Sequence, residues 1–196
     1  MERNELYPVF LKTDKIQLLI IGGGEVAHEK LSFLLKSSPN TQVKLVATFF
    51  REQTMDIINS FNLTYSVKAY DESDLNKVNI VIAATDSIAV NKQIYADAKA
   101  QGILVNVADT PEYCDFYLGG IVTKGHVKIA ISTNGKSPTM AKRLRQFFEE
   151  VLPENMNELV LNINDYRKKL KGDFEEKVHA LNELTKEFVE QKNNDD

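Results

Sequence analysis

Gly22-Gly23-Gly24-Glu25-Val26-Ala27 is the segment of this sequence whose residue types and spacing most directly imply chemistry. It satisfies G-x-G-x-x-A. Gly22 permits a tight turn, and Gly24, lacking a side chain, lets a diphosphate approach the backbone. Ala27 lets a following helix lie close to a sheet. A helix opening at that point offers free N–H groups and a partial positive charge to phosphate. Other candidate groups stand where strands are expected to end. Thr85 and Asp86 follow one apolar run, Asn106 and Asp109 another. An Asp at such an edge can take or give a proton if burial raises its pKa. Gly135-Lys136-Ser137 resembles the end of a phosphate loop, but Ala130 stands where that motif needs its first glycine. What remains is an anion site at a helix start, built from Lys136 and Ser137.

These groups need elements to position them. Ile16 to Ile21 reads as a buried strand, and Ala27, Leu31, Leu34 and Leu35 as one face of a helix ending near Ser37-Ser38-Pro39-Asn40. Val43–Ala47 is a second strand, Phe49–Phe61 a helix, Leu63–Ala69 a third strand and Asp71–Asp74 a polar turn. Val78–Ala84, a continuous apolar run, suits a central parallel strand. Ile88–Gln101 reads as a helix stopped by Gly102, and Ile103–Val107 as a fifth strand. The class is therefore α/β with a Rossmann-like parallel sheet. Two β-rich runs, Tyr117–Thr123 and Val127–Ser132, flank Lys124-Gly125-His126 and suggest a hairpin. Ser137-Pro138 opens a further helix. Met156, Leu159, Ile163, Tyr166 and Leu170 form one stripe. Phe174, Val178, Leu181, Leu184 and Phe188 form a second, after Gly172-Asp173. They predict a helical hairpin whose stripes are packing faces, and a frayed tail over Asn193–Asp196. The expected division is 1–115, 116–150 and 151–196.

Composition narrows the possibilities. With 196 residues, 43% hydrophobic and 27% charged, the chain can bury a core and is not a disordered polyelectrolyte. Its single cysteine, Cys114, cannot pair internally or build a cysteine zinc cluster. It lacks His or triad partners nearby and reads as a passive thiol. His28, His126 and His179 are scattered without metal-ligand spacing and read as surface residues, so no metal is expected. Met1–Phe10 does not have a signal-peptide pattern, and no run is long enough to span a bilayer, so a cytoplasmic protein with no membrane is expected. The net charge of −4 hides a segregation: residues 116–148 contain six bases, Lys124, Lys128, Lys136, Lys142, Arg143 and Arg145, and no acid. Such a stretch is either a solvated face or an anion-attracting field. A nucleic acid partner is disfavoured, because the patch is short, has no interleaved base-stacking motif and lies in an acidic protein.

Taken together, these segments resemble the precorrin-2 dehydrogenase family, the dehydrogenase part of siroheme synthases. The similar segments are Tyr7-Pro8-Val9-Phe10-Leu11, Ile21 to Ala27 with Lys30, Ala83-Ala84-Thr85-Asp86, Asn106-Val107-Ala108-Asp109, Cys114-Asp115-Phe116 and Ile131 to Pro138. The resemblance implies NAD-dependent oxidation of precorrin-2 to sirohydrochlorin. It also implies a dimerisation region whose strands pair between subunits, hence a homodimer, and a helical C-terminal region. It puts the catalytic Asp on Asp109 and the NAD contacts on the glycine loop, notably Glu25 and Val26, and on Thr48 and Phe49. No Asp or Glu stands at that second strand end, Ala47-Thr48-Phe49, to take a ribose hydroxyl; the family shares this lack and still uses NAD. Two departures stand out: Asn134 where a Gly is common, and Gly119-Gly120 where a Pro or bulkier residue often lies. A carboxylate-rich tetrapyrrole would suit the basic stretch, with Lys124, Lys136, Ser137 and Arg143 as contacts. Some relatives also insert Fe²⁺. A non-catalytic NAD-sensing module is the competing reading.

Overall fold

The computed structural model describes residues 3–186; the expectations for Phe188 and for the tail Asn193–Asp196 lie outside them. Five parallel strands form the main sheet: β1 (Gln17–Ile21), β2 (Gln42–Ala47), β3 (Thr64–Val67), β4 (Ile80–Ala83) and β5 (Leu104–Val107). Their order is β3-β2-β1-β4-β5. Helices α1 (Glu25–Ser37), α2 (Glu52–Ser60) and α3 (Ile88–Ala100) connect them. The chain runs outward from β1 to β3, then returns to β4 on the other side of β1. In sheets of this kind the ligand crevice opens at that reversal, outside the carboxyl ends of the strands.

The alternation of side chains along each strand builds two cores. Leu18 and Ile20 of β1, Val43 and Leu45 of β2 and Ile80 and Ile82 of β4 pack with Ala27, Leu31 and Leu35 of α1 and Ile58 of α2. Leu19, Ile21, Val46, Val81, Ala83, Val105 and Val107 pack on the opposite face with Ile94 and Ala98 of α3. Both faces are covered, which is why β4, and β1 after Gln17, are apolar.

One end of the sheet is pinned by a buried charge. Asp71 and Asp74 form a reciprocal capping box around a short 3-10 turn, Glu72–Leu75. Asp74 is buried, and its carboxylate accepts from Lys68 Nζ at 2.7 Å, Lys44 Nζ at 3.3 Å and the Asp71 N–H at 3.1 Å. Burial alone would push this carboxyl up. The two ammonium groups and the Asp71 N–H outweigh it and hold it below the ordinary range.

The described residues beyond the sheet carry β6 (Gly120–Lys124), β7 (Val127–Ile131), α4 (Pro138–Val151), α5 (Met156–Lys169) and α6 (Phe174–Thr185). Two compact units are formed. One holds residues up to 121 together with 130–144, the other 122–129 together with residues from 145 onward. Helix α4 begins as its Ser-Pro start predicts, with Ser137 Oγ accepting the Met140 N–H. Asp173 and Glu176 cap α6 reciprocally.

Three expectations are corrected. The second helix starts at Glu52 rather than Phe49, because Phe49–Arg51 pack along the glycine loop and the Arg51 N–H bonds Gly23 instead of a helical carbonyl. The hairpin turn is Gly125-His126 alone. Lys124 belongs to β6, and Gly125 takes the left-handed conformation at φ +57° while Asn157 Oδ1 accepts the His126 N–H. Among the described residues of the C-terminal stripes only Met156 is buried; Ile163, Leu170 and Leu181 are half-buried, and Leu159, Tyr166, Phe174, Val178 and Leu184 are exposed, so periodicity marked apolar faces that the described residues cover only in part.

Asp74→Ala should cost about 3 kcal/mol, because it leaves two ammonium groups without their shared partner. A carboxyl held below its unfolded pKa stabilises the fold above that value and loses the contribution as pH falls through the folded pKa. Urea unfolding should therefore separate wild type from Asp74→Asn at pH 7, and the gap should shrink on acidification below about pH 4. A gap independent of pH would contradict the assignment.

Candidate functional site

The glycine loop leaves β1 at the centre of the reversal. The Gly22 N–H donates to the Val46 carbonyl of β2 at 2.9 Å, and Gly22 holds φ +130°. A Cβ placed there would lie 2.3 Å from the Ala84 carbonyl oxygen. On Gly23 it would lie 2.1 Å from the Phe49 carbonyl oxygen. The Gly23 carbonyl accepts from the Arg51 N–H at 3.0 Å and from the buried Thr54 hydroxyl at 3.3 Å. Two backbones thus close on the loop from either side. Gly24 is different: a Cβ on it would meet nothing within 4 Å. The space over Gly24 is open, and α1 begins there with no side chain capping its first amides, unlike α3, α4 and α6. An open cradle bounded by uncapped N–H groups of Glu25 and Val26 is what a diphosphate requires, so the residues present fit a dinucleotide.

Around this cradle the carboxyl ends of β2, β4 and β5 present their groups. Thr48 and Phe49 are exposed beyond β2. Thr85 Oγ1 lies 2.6 Å from Asn91 Oδ1, and Asn91 Nδ2 donates to the Thr85 carbonyl at 3.0 Å. This clasp ties the end of β4 to α3, so Thr85 holds the crevice edge, while Asp86 beside it is exposed. Asn91 was not singled out from sequence, though a buried amide in register with Ile94 and Ala98 on an apolar helix face was a visible signal.

Asp109 is placed by a turn. Thr110 N–H bonds the Val107 carbonyl at 3.2 Å, and Asp109 takes φ +57°, a left-handed conformation that Asp tolerates better than most residues. The burial expected to tune it is absent. Asp109 is exposed, and among the described residues its carboxylate has no hydrogen-bond or ion partner. Asn106, by contrast, is buried, and its Nδ2 donates to the Phe116 carbonyl at 2.8 Å. Cys114 Sγ donates toward the Val107 carbonyl at 3.2 Å, and burial pushes its thiol up, which keeps it passive. Asp115, part of the Cys114-Asp115-Phe116 segment but given no role there, accepts from Lys99 Nζ at 2.6 Å and from the Val105 N–H at 3.1 Å. Asn106, Cys114 and Asp115 fold the segment after β5 back onto that strand and so set where Asp109 stands.

The basic stretch is less free than its composition suggests. Lys124 pairs with Glu154, and Arg145 with Glu149 at 2.6 Å, so acids just beyond the stretch neutralise part of it. Lys136 and Arg143 are exposed. Ser137 uses its hydroxyl oxygen on the α4 cap. Asn134 and Gly135 both adopt left-handed conformations, at φ +53° and +71°; Asn is the side chain that best replaces Gly there, which accounts for the first departure. Gly119 has a physical reason as well: a Cβ would lie 2.2 Å from the Ile131 carbonyl oxygen. His28 is not the simple surface residue expected. It is half-buried, with Nδ1 shielded from solvent and, among the described residues, without a hydrogen-bond partner.

Residues 9–120 match a family described as putative NAD(P)-binding, and residues 124–150 match the central segment of sirohaem biosynthesis proteins. A siroheme synthase of Nitrosococcus oceani is 37% identical over 84% of this chain and 35% of its own length. One from Pseudoalteromonas translucida is 36% identical over 85% of this chain, again 35% of its length. The chain thus spans about a third of these curated relatives. A solved structure described as SirC, precorrin-2 dehydrogenase, has the same fold, with a TM-score of 0.75 at 22% identity over 95% of this chain and 98% of that one. Among the described residues, no helix is long and apolar enough to cross a membrane.

The two glycines should respond differently to the same methyl group. Gly22→Ala meets backbone at a positive φ and should lose about 3 kcal/mol of stability. Gly24→Ala should keep its melting temperature within about 3 °C, yet bind NAD⁺ at least about tenfold more weakly by calorimetry, since the methyl occupies the cradle. Undiminished binding by Gly24→Ala would place the diphosphate elsewhere.

Proposed function

The chain belongs to the NAD(P)-binding family of precorrin-2 dehydrogenases and siroheme synthases, and from that premise we propose that it oxidises precorrin-2 to sirohydrochlorin with NAD⁺ as hydride acceptor. The observation that carries the reading is the pairing of an open glycine cradle with an unpartnered carboxylate, Asp109, on the same carboxyl edge of one sheet.

The uncapped N–H groups of Glu25 and Val26 would hold the diphosphate, and Thr48, Phe49, Thr85, Asp86 and Asn106 would hold the rest of the dinucleotide. Bound NAD⁺ supplies a hydride acceptor and nothing else. The reaction removes two hydrogens: one C–H bond would give up its hydrogen together with the bonding electron pair, as a hydride, and a second hydrogen would leave as a proton. Asp109 takes that proton. Among the described residues its carboxylate has no partner, and the turn at Val107–Thr110 holds it at the edge where substrate must arrive. Lys136 and Arg143, with Ser137 at the α4 start, would meet the carboxylates of the tetrapyrrole. In this reading residues 1–115 bind the dinucleotide, 116–150 form a homodimer interface and 151–196 add a helical region. Fe²⁺ insertion would use the same product as substrate.

Purified protein given precorrin-2 and NAD⁺ should develop sirohydrochlorin absorbance. Asp109→Asn should lower kcat by about 10²-fold or more, while its calorimetric affinity for NAD⁺ stays within about threefold of wild type. Turnover by wild type that survives in Asp109→Asn would remove Asp109 from the reaction. An absence of turnover in wild type, with NAD⁺ bound, would favour the sensing module. Repeating the assay with Fe²⁺ reads chelation directly.

A further inference from the structure

We propose that the ion pair between Glu25 and Arg51 sets the coenzyme preference, by occupying the guanidinium that a 2′-phosphate would need and by presenting a carboxylate in its place. The inference rests on the dinucleotide reading of the glycine loop and names the residues that choose between its two forms.

In this fold the adenosine ribose lies between the glycine loop and the end of β2. An acid there favours a free 2′-hydroxyl, and an arginine favours a 2′-phosphate. The strand end Ala47-Thr48-Phe49 supplies neither. The tertiary structure supplies both from either side. Arg51 is fixed at the loop by its backbone N–H, which donates to the Gly23 carbonyl at 3.0 Å. Its Nη1 lies 2.5 Å from Oε2 of Glu25, the first residue of α1 and the neighbour of Gly24. The pair therefore spans the gap from the second strand's exit to the diphosphate cradle.

Both side chains are more than half exposed, at 52% and 64%, so the contact adds little to folding. Its effect is on charge. Lys68 is a second cation near this strand end, since its N–H donates to the Ala47 carbonyl at 2.9 Å. Its Nζ is held 2.7 Å from the buried Asp74 carboxylate. Each of these two cations thus already faces a carboxylate. A 2′-phosphate, which brings close to two negative charges, would have to displace Glu25 from Arg51 and then remain beside it. A ribose hydroxyl meets no such cost and can donate to Glu25.

The test is calorimetric binding of NAD⁺ and NADP⁺ to wild type, Glu25→Gln, and Glu25→Gln combined with Arg51→Gln. Wild type should prefer NAD⁺. Glu25→Gln should shift the ratio of the two dissociation constants roughly tenfold toward NADP⁺, the scale of one charge-assisted contact. Adding Arg51→Gln should abolish that shift. An unchanged ratio in Glu25→Gln overturns the proposal, as does a wild-type preference for NADP⁺ or a shift that persists without Arg51. Wild type that binds neither dinucleotide overturns the reading of the glycine loop itself, a separate outcome.

Discussion

Backbone meeting backbone at the centre of the sheet is the constraint on which the rest depends. The chain leaves β1 so tightly that the position of Gly22 lies against the Ala84 carbonyl of β4, while Gly23 lies against the Phe49 carbonyl beyond β2. No side chain fits at either place. This contact brings the ends of the three central strands together and leaves Gly24 facing open space. A longer or bulkier turn would part β2 from β4 and leave the crevice without an edge. The apolar layers on both faces supply the free energy, with each fully buried aliphatic side chain worth about 1.5–3 kcal/mol. The glycine contacts decide where that stability is directed.

A second set of buried groups fixes what the crevice displays. Thr85 with Asn91, and Asn106 with the Phe116 carbonyl, satisfy polar atoms that would otherwise be costly beside the core. Each bond also restrains a segment leaving a strand. Asp109 benefits without taking part: its neighbours are bonded, its own carboxylate is not. A group kept free by the order around it is what proton transfer requires. The division is clear in Asn106 and Asp109, three residues apart, one fastening the edge and the other available on it.

Charge follows a related logic. Lysines and arginines that look alike in composition are distinguished by what lies across from them. Lys44 and Lys68 converge on Asp74, Lys99 on Asp115, Lys124 on Glu154 and Arg51 on Glu25. The acid-free stretch 116–148 is thus a local property of the chain, and Glu149 and Glu154, lying just past it, return to neutralise part of it.

The sequence by itself determined the order of strands and helices, because hydrophobic period, caps and glycine stops are local signals. Ser137-Pro138, Asp173 with Glu176, and the run from Val78 to Ala84 each speak through near neighbours. The glycine loop was legible for the same reason, as was Asp109 as a group at a strand's end. Tertiary structure alone decided which polar atoms are spent and which are free. Arg51 meets Glu25 across 26 residues and Asn91 closes on Thr85 within a turn whose shape depends on β4. Lys124 reaches Glu154 across 30 residues. Those pairings depend on distance in space, and one-dimensional spacing does not encode distance between segments joined by a long loop or crossover. The partly exposed stripes of α5 and α6 show the same limit from the other side: periodicity states that a face is apolar, and only the folded chain states whether anything covers it.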